Sequence, residues 1–291
     1  MTAGPVRPNA AGGPYVDLHS HSTASDGSRS PRGVVEAARA AGLLAIALTD
    51  HDTMAGIDEA SVAGREIGVR VVPGVELSAT DADREVHVLG LHIERPDAIE
   101  AMLQEFRHSR YSRAEQIVAK LNALGVPISL DAVLAQAAGG AIGRPHLARA
   151  LIGEGWARDS RDAFDRYLGA GKPAYVPKQR LSMGDAIALI HAGGGLAVLA
   201  HPGPEGRRDV VERFVALGLD GLEVRHPGHS GEDTVRLGAL VEFFRLVPSG
   251  GSDWHGGSDG PRVLGAMRVS SEWLDRQDAR VAERRAAERV A

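Results

Sequence analysis

Short apolar runs recur along the chain, separated by stretches with helical periodicity. The runs at 15–18, 44–48, 69–72, 86–91, 196–199, 221–224 and 245–248 have the length and aliphatic content of buried strands. Between them, 31–41, 183–192, 209–217 and 233–244 place apolar residues three and four positions apart, as helices do when one face rests on a core. Alternating strands and helices predict βα units around a parallel sheet. The stretch 97–177 breaks this alternation. It opens on a long amphipathic helix with the stripe Ile99, Met102, Leu103, Phe106, Ile117, Leu121 and Leu124, and helical pattern follows at 130–137, 146–152 and 162–168. It is read as a helical insertion domain between two barrel portions, 15–96 and 178–275. Residues 1–14, rich in Gly, Pro and Ala, are expected to form a flexible lead-in, and 276–291 a peripheral charged tail.

Composition narrows the chemistry. With 291 residues, 43% hydrophobic and 24% charged, the chain is long enough for one large α/β barrel and has the balance of a globular enzyme. A net charge of −5 gives no general attraction for nucleic acid, so a phosphate-bearing ligand needs a local basic pocket. The absence of cysteine excludes disulfides, thiolate metal sites and cysteine nucleophiles. No apolar run reaches membrane-spanning length and no signal peptide opens the chain, so a cytoplasmic location without membrane or obligate protein partners is expected.

Titratable residues gather where strands end, as functional residues do in barrel enzymes. The first strand runs into Asp17-Leu18-His19-Ser20-His21, with Asp26 shortly after. In extended chain His19 and His21 face the same way and can reach one ion. Asp50-His51-Asp52, Gly74-Val75-Glu76, His201-Pro202-Gly203 and Asp253-Trp254-His255 follow later strands, and His87 lies near the start of its own. A lone histidine is most often a satisfied core or surface residue, and an Asp before a turn is most often a cap. Concentration at successive strand ends is what that ordinary explanation does not predict. Asp50 and Asp52 stay open as residues that could orient a ligating imidazole.

Together, His19-Ser20-His21, Leu48-Thr49-Asp50-His51-Asp52, Gly74-Val75-Glu76, His201-Pro202 and Ser252-Asp253-Trp254-His255 resemble the motifs of the PHP (polymerase and histidinol phosphatase) superfamily, from Tyr15 to about Val269. The resemblance implies a distorted seven-stranded β/α barrel with up to three bound metals. It would put His19, His21, Glu76 and Asp253 at one site, with Glu76 bridging to a second that includes His87 and His201. Asp26, His51 and His255 would complete a third, made richer in oxygen because many members have His where this chain has Asp26. Imidazole and carboxylate donors suit two or three divalent ions, Mn²⁺ best, with Zn²⁺, Fe²⁺ or Mg²⁺ as alternatives. The expected chemistry is in-line attack of metal-bound hydroxide on a phosphate ester, with Glu76 and Asp253 essential.

For substrate contacts, Arg110 and Arg113 on the long helix are preferred over Arg107, for which a solvated surface is the simpler reading. Arg144 and His146 stand beside a helix start marked by Pro145, a favourable place for an anion. Lys172 and Tyr175 could add to it, and His226 could bind phosphate or protonate a leaving oxygen. Asp26, the helical stretch, Gly143-Arg144-Pro145-His146 and Val224-Arg225-His226-Pro227-Gly228-His229 resemble one PHP subgroup in particular. That subgroup holds the 3′,5′-nucleoside bisphosphate phosphatases and 5′→3′ exoribonucleases, and the likeness implies a pAp-like nucleotide or a short RNA end as substrate. A histidinol-phosphate phosphatase and a catalytically silent metal- or nucleotide-binding module are the competing readings.

Overall fold

The computed structural model of the chain describes residues 14–82, 84–137, 139–178, 181–258 and 260–289. The lead-in read over 1–14 thus lies outside the described residues except for Pro14. Nine strands form one sheet: β1 (Tyr15–Asp17), β2 (Ala45–Leu48), β3 (Arg70–Asp81), β4 (Arg84–Leu91), β5 (Leu181–Ser182), β6 (Leu196–Leu199), β7 (Gly221–Arg225), β8 (Val247–Gly250) and β9 (Val269–Ser270). Its order is β8-β7-β6-β4-β3-β2-β1-β9, with β5 beside β3. Past the end of β8 the chain returns to β1: Leu18 N donates to Gly250 O at 3.0 Å, Asp253 N to His19 O at 2.9 Å and His21 N to Trp254 O at 2.8 Å. Those bonds close a barrel of seven strands, as expected, with the two short strands β5 and β9 outside it.

The wall is not wholly parallel. β4 runs antiparallel to both β3 and β6. Sequence reading stopped the third strand at Val72, yet β3 continues to Asp81 with Val75, Leu77 and Ala79 buried. The chain then turns back between Asp81 and Arg84, too short a link for the crossover that parallel strands need. This hairpin is the barrel's distortion. It also explains His87: on a reversed strand, the start faces the mouth where the other strands end.

The helices between barrel strands fall close to their expected bounds. α1 (Pro31–Ala40) is capped by the Ser30 side chain and starts on proline. One helix, α2 (Ile57–Ile67), escaped the periodicity because its buried face is Ala60, Ala63 and Gly64. Small residues give a weak apolar signal but permit close approach: a Cβ on Gly64 would lie 2.7 Å from the Val69 carbonyl oxygen.

Between β4 and β5 lie α3 (Asp97–Ala123), α4 (Leu130–Ala137), α5 (Arg144–Gly153) and α6 (Ser160–Ala163), the last running into a π-helical turn at Phe164–Leu168. α3 serves two cores. Ile99, Leu103 and Phe106 pack into the barrel cluster, whereas Ile117, Val118 and Leu121 join Val133, Leu147, Leu151 and Leu168 in a separate one. Arg110 and Arg113 sit between these groups and are both buried. α7 (Met183–Ala192), α8 (Arg208–Ala216) and α9 (Gly231–Phe244) return to the barrel's outer face. The last helix, α10 (Ser271–Glu288), begins before the expected tail and is less peripheral than its charge suggested. Leu274, Gln277 and Val281 are buried, and Gln277 Nε2 donates to the Pro248 carbonyl at 2.8 Å.

Candidate metal centre

Strand-end geometry brings all nine candidate donors to the barrel mouth around the buried carboxylate of Glu76. Its Oε2 lies 3.3 Å from His19 Nε2, 3.3 Å from His21 Nε2 and 3.1 Å from His51 Nδ1. Its Oε1 lies 2.8 Å from His87 Nδ1 and 3.0 Å from His201 Nε2. Asp253 Oδ1 faces His19 Nε2 at 3.5 Å and His21 Nε2 at 3.2 Å. Asp26 stands between His255 Nε2, 3.3 Å from Oδ1, and His51 Nε2, 3.9 Å from Oδ2.

Three groups have ligand atoms within 4.8 Å of one another: His19, His21, Glu76 and Asp253; His21, Asp26, His51 and His255; and His51, Glu76 and His87. The first is the set implied by family resemblance, and the second adds His21 to the implied third site. In the remaining group His51 stands where His201 was implied, although His201 approaches the same oxygen of Glu76 as His87.

Second partners decide which nitrogen of each ring is free. His19 Nδ1 meets Glu223 Oε1 at 3.1 Å, so an N–H there leaves Nε2 as a lone pair toward Glu76 and Asp253. Glu223 Oε2 also accepts from His201 N at 2.7 Å. His255 Nδ1 lies 2.9 Å from the Asp253 carbonyl oxygen, which leaves its Nε2 facing Asp26. His226 Nδ1 accepts from Gly228 N at 3.0 Å, so a neutral ring carries its proton on Nε2, 3.4 Å from Asp253 Oδ2.

The electrostatics favour a cation. Burial alone would raise the pKa of Glu76, but His51, His87 and His19 hold it well below the usual carboxylate range. Asp253 is likewise lowered against burial by His19, His21 and His226. The rings are pulled apart: burial takes His51 down to about 3, while Asp253 and Glu76 overcome burial at His21 and push it up to about 10. His19 Nε2, both nitrogens of His21, His51 Nδ1 and Glu76 Oε2 are buried and make no hydrogen bond. Buried polar atoms without partners are costly, and orphans converging on one point fit a shared divalent ion. Imidazole and carboxylate donors are the right chemistry for one.

The mouth opens into a cavity of about 420 Å³ lined by His51, Glu76, His87, His201, His226, Asp253, His255 and Arg262, among others. A groove of about 1080 Å³ between α2, α3 and the turn at 139–142 has no histidine in its lining, so size does not locate the chemistry.

The expected substrate contacts fare unequally. Arg110 is taken up by Asp52, with Nε and Nη2 donating to Oδ2 at 2.9 and 2.6 Å, and by the Ile142 carbonyl at 3.1 Å. The Asp52 carboxylate therefore bonds Arg110 and not an imidazole nitrogen, and Asp50 is held by Ser22 and Ser25. Arg107 pairs with Glu100 on its own helix. His146 is buried, with Nδ1 accepting from Gly143 N at 2.9 Å. Burial and neighbouring Arg149 lower its pKa to about 4, so it offers no positive charge to an anion. Lys172 is exposed, and no side-chain contact joins it to the cluster among the described residues. Arg113 and Arg144 keep guanidinium capacity. Arg113 Nε donates to the Val176 carbonyl at 2.8 Å, and Arg144 Nη1 reaches the Leu168 carbonyl at 3.4 Å between the rings of Phe164 and Tyr175. Burial and the neighbouring Arg144 and Arg110 lower Arg113 to about 10.

Four residues escaped sequence reading. Glu223 stands inside an apolar strand, where a lone carboxylate was itself the signal. Asp17 is buried in the same way and accepts from Ser252 N at 2.9 Å and Gly265 N at 3.1 Å. Lys178 pairs with Asp52 at 2.9 Å, and Arg262 pairs with Asp253 Oδ2; both come from irregular segments with no pattern to flag them.

Known proteins agree with this geometry. The PHP domain matches residues 17–170. A 5′-3′ exoribonuclease of Haemophilus influenzae is 40% identical over 246 residues, 82% of this chain and 89% of that protein. A 3′,5′-nucleoside bisphosphate phosphatase of Chromobacterium violaceum is 37% identical over 257 residues, 86% of this chain and 90% of that protein. A solved structure from Bifidobacterium adolescentis, described as a metal-dependent phosphoesterase, superposes with a TM-score of 0.84 at 36% identity over 94% of this chain and 98% of that one. The chain belongs to the PHP family and is a metal-dependent phosphoesterase.

Proposed function

We propose that the chain hydrolyses nucleotide phosphate esters, removing the 3′-phosphate of 3′,5′-nucleoside bisphosphates, digesting short RNA 5′→3′, or both. The observation that carries this is the pairing of a carboxylate–imidazole cluster with two guanidiniums, Arg113 and Arg144, that make no salt bridge to a carboxylate among the described residues. The nucleotide activities named for the relatives favour it over histidinol phosphate.

His19, His21, Glu76 and Asp253 would hold one ion, Glu76 with His87, His51 and His201 a second, and His21, Asp26, His51 and His255 a third. Mn²⁺ suits this nitrogen–oxygen set best. Ions in such positions lower the pKa of bound water and absorb charge from the phosphoryl oxygens. Glu223 keeps His19 in the tautomer that presents Nε2 to the centre. His226 holds its proton on Nε2 at the cavity wall, where it can protonate the leaving oxygen. Arg144, backed by Tyr175 and Phe164 and close to Arg113, would bind the phosphate that is not cleaved, and 97–177 would form the lid that carries them.

The test is phosphate and nucleotide release from pAp, a 5′-phosphorylated oligoribonucleotide and histidinol phosphate, each with Mn²⁺-loaded protein. Turnover of pAp or RNA at least tenfold above histidinol phosphate is expected. Preference for histidinol phosphate would overturn the reading.

A further inference from the structure

Arg110 does more than fill the junction between the two cores. Asp52, its partner, directly follows His51 and has a φ of 51°, a left-handed conformation uncommon for a residue with a side chain. Several contacts hold it there. Its N donates to Glu76 O at 3.0 Å, its Oδ1 accepts from Ser78 N at 3.0 Å, and its Oδ2 takes both Arg110 and Lys178. The His51 ring leaves the chain one residue earlier, so this arrangement sets where it points.

The other side of Arg110 reaches the loop carrying Asp26. Nη1 donates to Ile142 O, and the neighbouring Ala141 N donates to Ala24 O at 2.9 Å. The approach is close, since a Cβ on Gly140 would lie 2.3 Å from the Thr23 carbonyl oxygen. From α5, Arg149 Nη1 donates to the Asp26 carbonyl at 3.3 Å. One guanidinium therefore ties the turn of His51 to the segment docked on the loop of Asp26. Those two residues face each other in the group His21, Asp26, His51 and His255. The group formed by His19, His21, Glu76 and Asp253 is braced otherwise, by Glu223 behind His19 and by strand-to-strand hydrogen bonds.

We propose that Arg110 is a positioning residue for the ion held by His21, Asp26, His51 and His255, acting by fixing the distance between Asp26 and His51. The helical segment then sets the affinity of this ion, while the barrel alone builds the group of His19, His21, Glu76 and Asp253. The inference rests on the reading that these four residues hold a divalent ion.

The test is Mn²⁺ titration of the full chain by calorimetry, with metal analysis after dialysis, for wild type, Arg110→Gln, Asp52→Asn and the double variant. Thermal melts would confirm that each variant is folded. Wild type is expected to bind three ions. Each single variant should weaken binding of the ions that use His51, by roughly 10–100-fold, the usual cost of removing a partner behind metal ligands, and leave at least one step at its wild-type affinity. The double variant should lose less than the sum of the two single ones, because both remove the bond between Arg110 and Asp52. Wild-type affinities in folded Arg110→Gln would overturn the positioning role alone. Equal weakening of every step would also overturn it, by showing a general effect on folding. A wild type that binds only two ions would instead remove the ion assignment on which the inference rests.

Discussion

The barrel mouth and the helical segment beside it both bury charged and polar side chains, but satisfy them in opposite ways. At the mouth, His19 Nε2, His21 Nε2, His51 Nδ1 and Glu76 Oε2 converge without a hydrogen bond. In the helical segment, Arg110 on α3 is fully engaged by Asp52 and a carbonyl, while Arg113 on α3 and Arg144 at the start of α5 donate to carbonyls. The mouth is therefore organised around a cation that completes it. Arg113 and Arg144 keep capacity for an anion. Burial is common to both regions, so the presence or absence of a partner is what separates a binding atom from a structural one.

The comparison can be broken most forcefully at Glu76. Glu76→Gln removes a charge that faces five imidazoles, and phosphoester hydrolysis should fall by about a thousandfold or more, ~4 kcal/mol of transition-state stabilisation. Undiminished kcat/KM at full metal content would sink the assignment. Stripping metal with a chelator should abolish turnover. It should also lower the melting temperature, because ions at a hundred times their Kd stabilise by roughly 2.7 kcal/mol each. Calorimetric melts with and without Mn²⁺ measure this, and an unchanged Tm would mean that the orphaned donors hold no ion.

Glu223→Gln leaves every donor in place and alters the partner that sets the tautomer of His19 and accepts from His201 N. A fall of roughly 10–100-fold in metal affinity is expected, read by competition with a chromogenic chelator. In the helical segment, Arg144→Ala should raise KM for pAp by about tenfold, the worth of a charge-assisted hydrogen bond. It should leave the turnover of p-nitrophenyl phosphate, which has no second phosphate, nearly unchanged. Equal losses on both substrates would assign Arg144 to the reacting centre instead. The smallest effect is reserved for His146, whose ring is neutral and hydrogen-bonded within its own helix start. His146→Ala should cost about 1 kcal/mol of stability in denaturant titrations with little change in KM.

Most of the barrel was legible because its strands are continuous apolar runs and its helices carry caps and spaced apolar faces. The nine side chains gathered at the mouth were legible because most of them lie at strand ends. What escaped has physical causes. α2 packs through alanine and glycine, so its buried face has little hydrophobic contrast. β4 reverses because two residues connect it to β3, and Pro73-Gly74, a pair that reads as a turn, stands inside β3 ahead of its buried Val75, Leu77 and Ala79. Arg110 had a signal that only the fold made readable. It lies four positions after Phe106 and seven before Ile117, on the helix face that is buried on both sides of it.

Residue types and their order along the chain already set the chemistry: no cysteine, nine nitrogen and oxygen donors, and strands that would carry most of them to one end of a barrel. Those properties are local, set by residue type and by the two-residue repeat of extended chain. Tertiary structure decided which atoms are free. Glu223 directs one nitrogen of His19, Asp52 holds the guanidinium of Arg110, and Gly143 N occupies Nδ1 of His146. Each such decision joins residues that the barrel or the helical segment brings together. A hydrogen-bond partner is a matter of ångströms in space, which spacing along the chain does not encode.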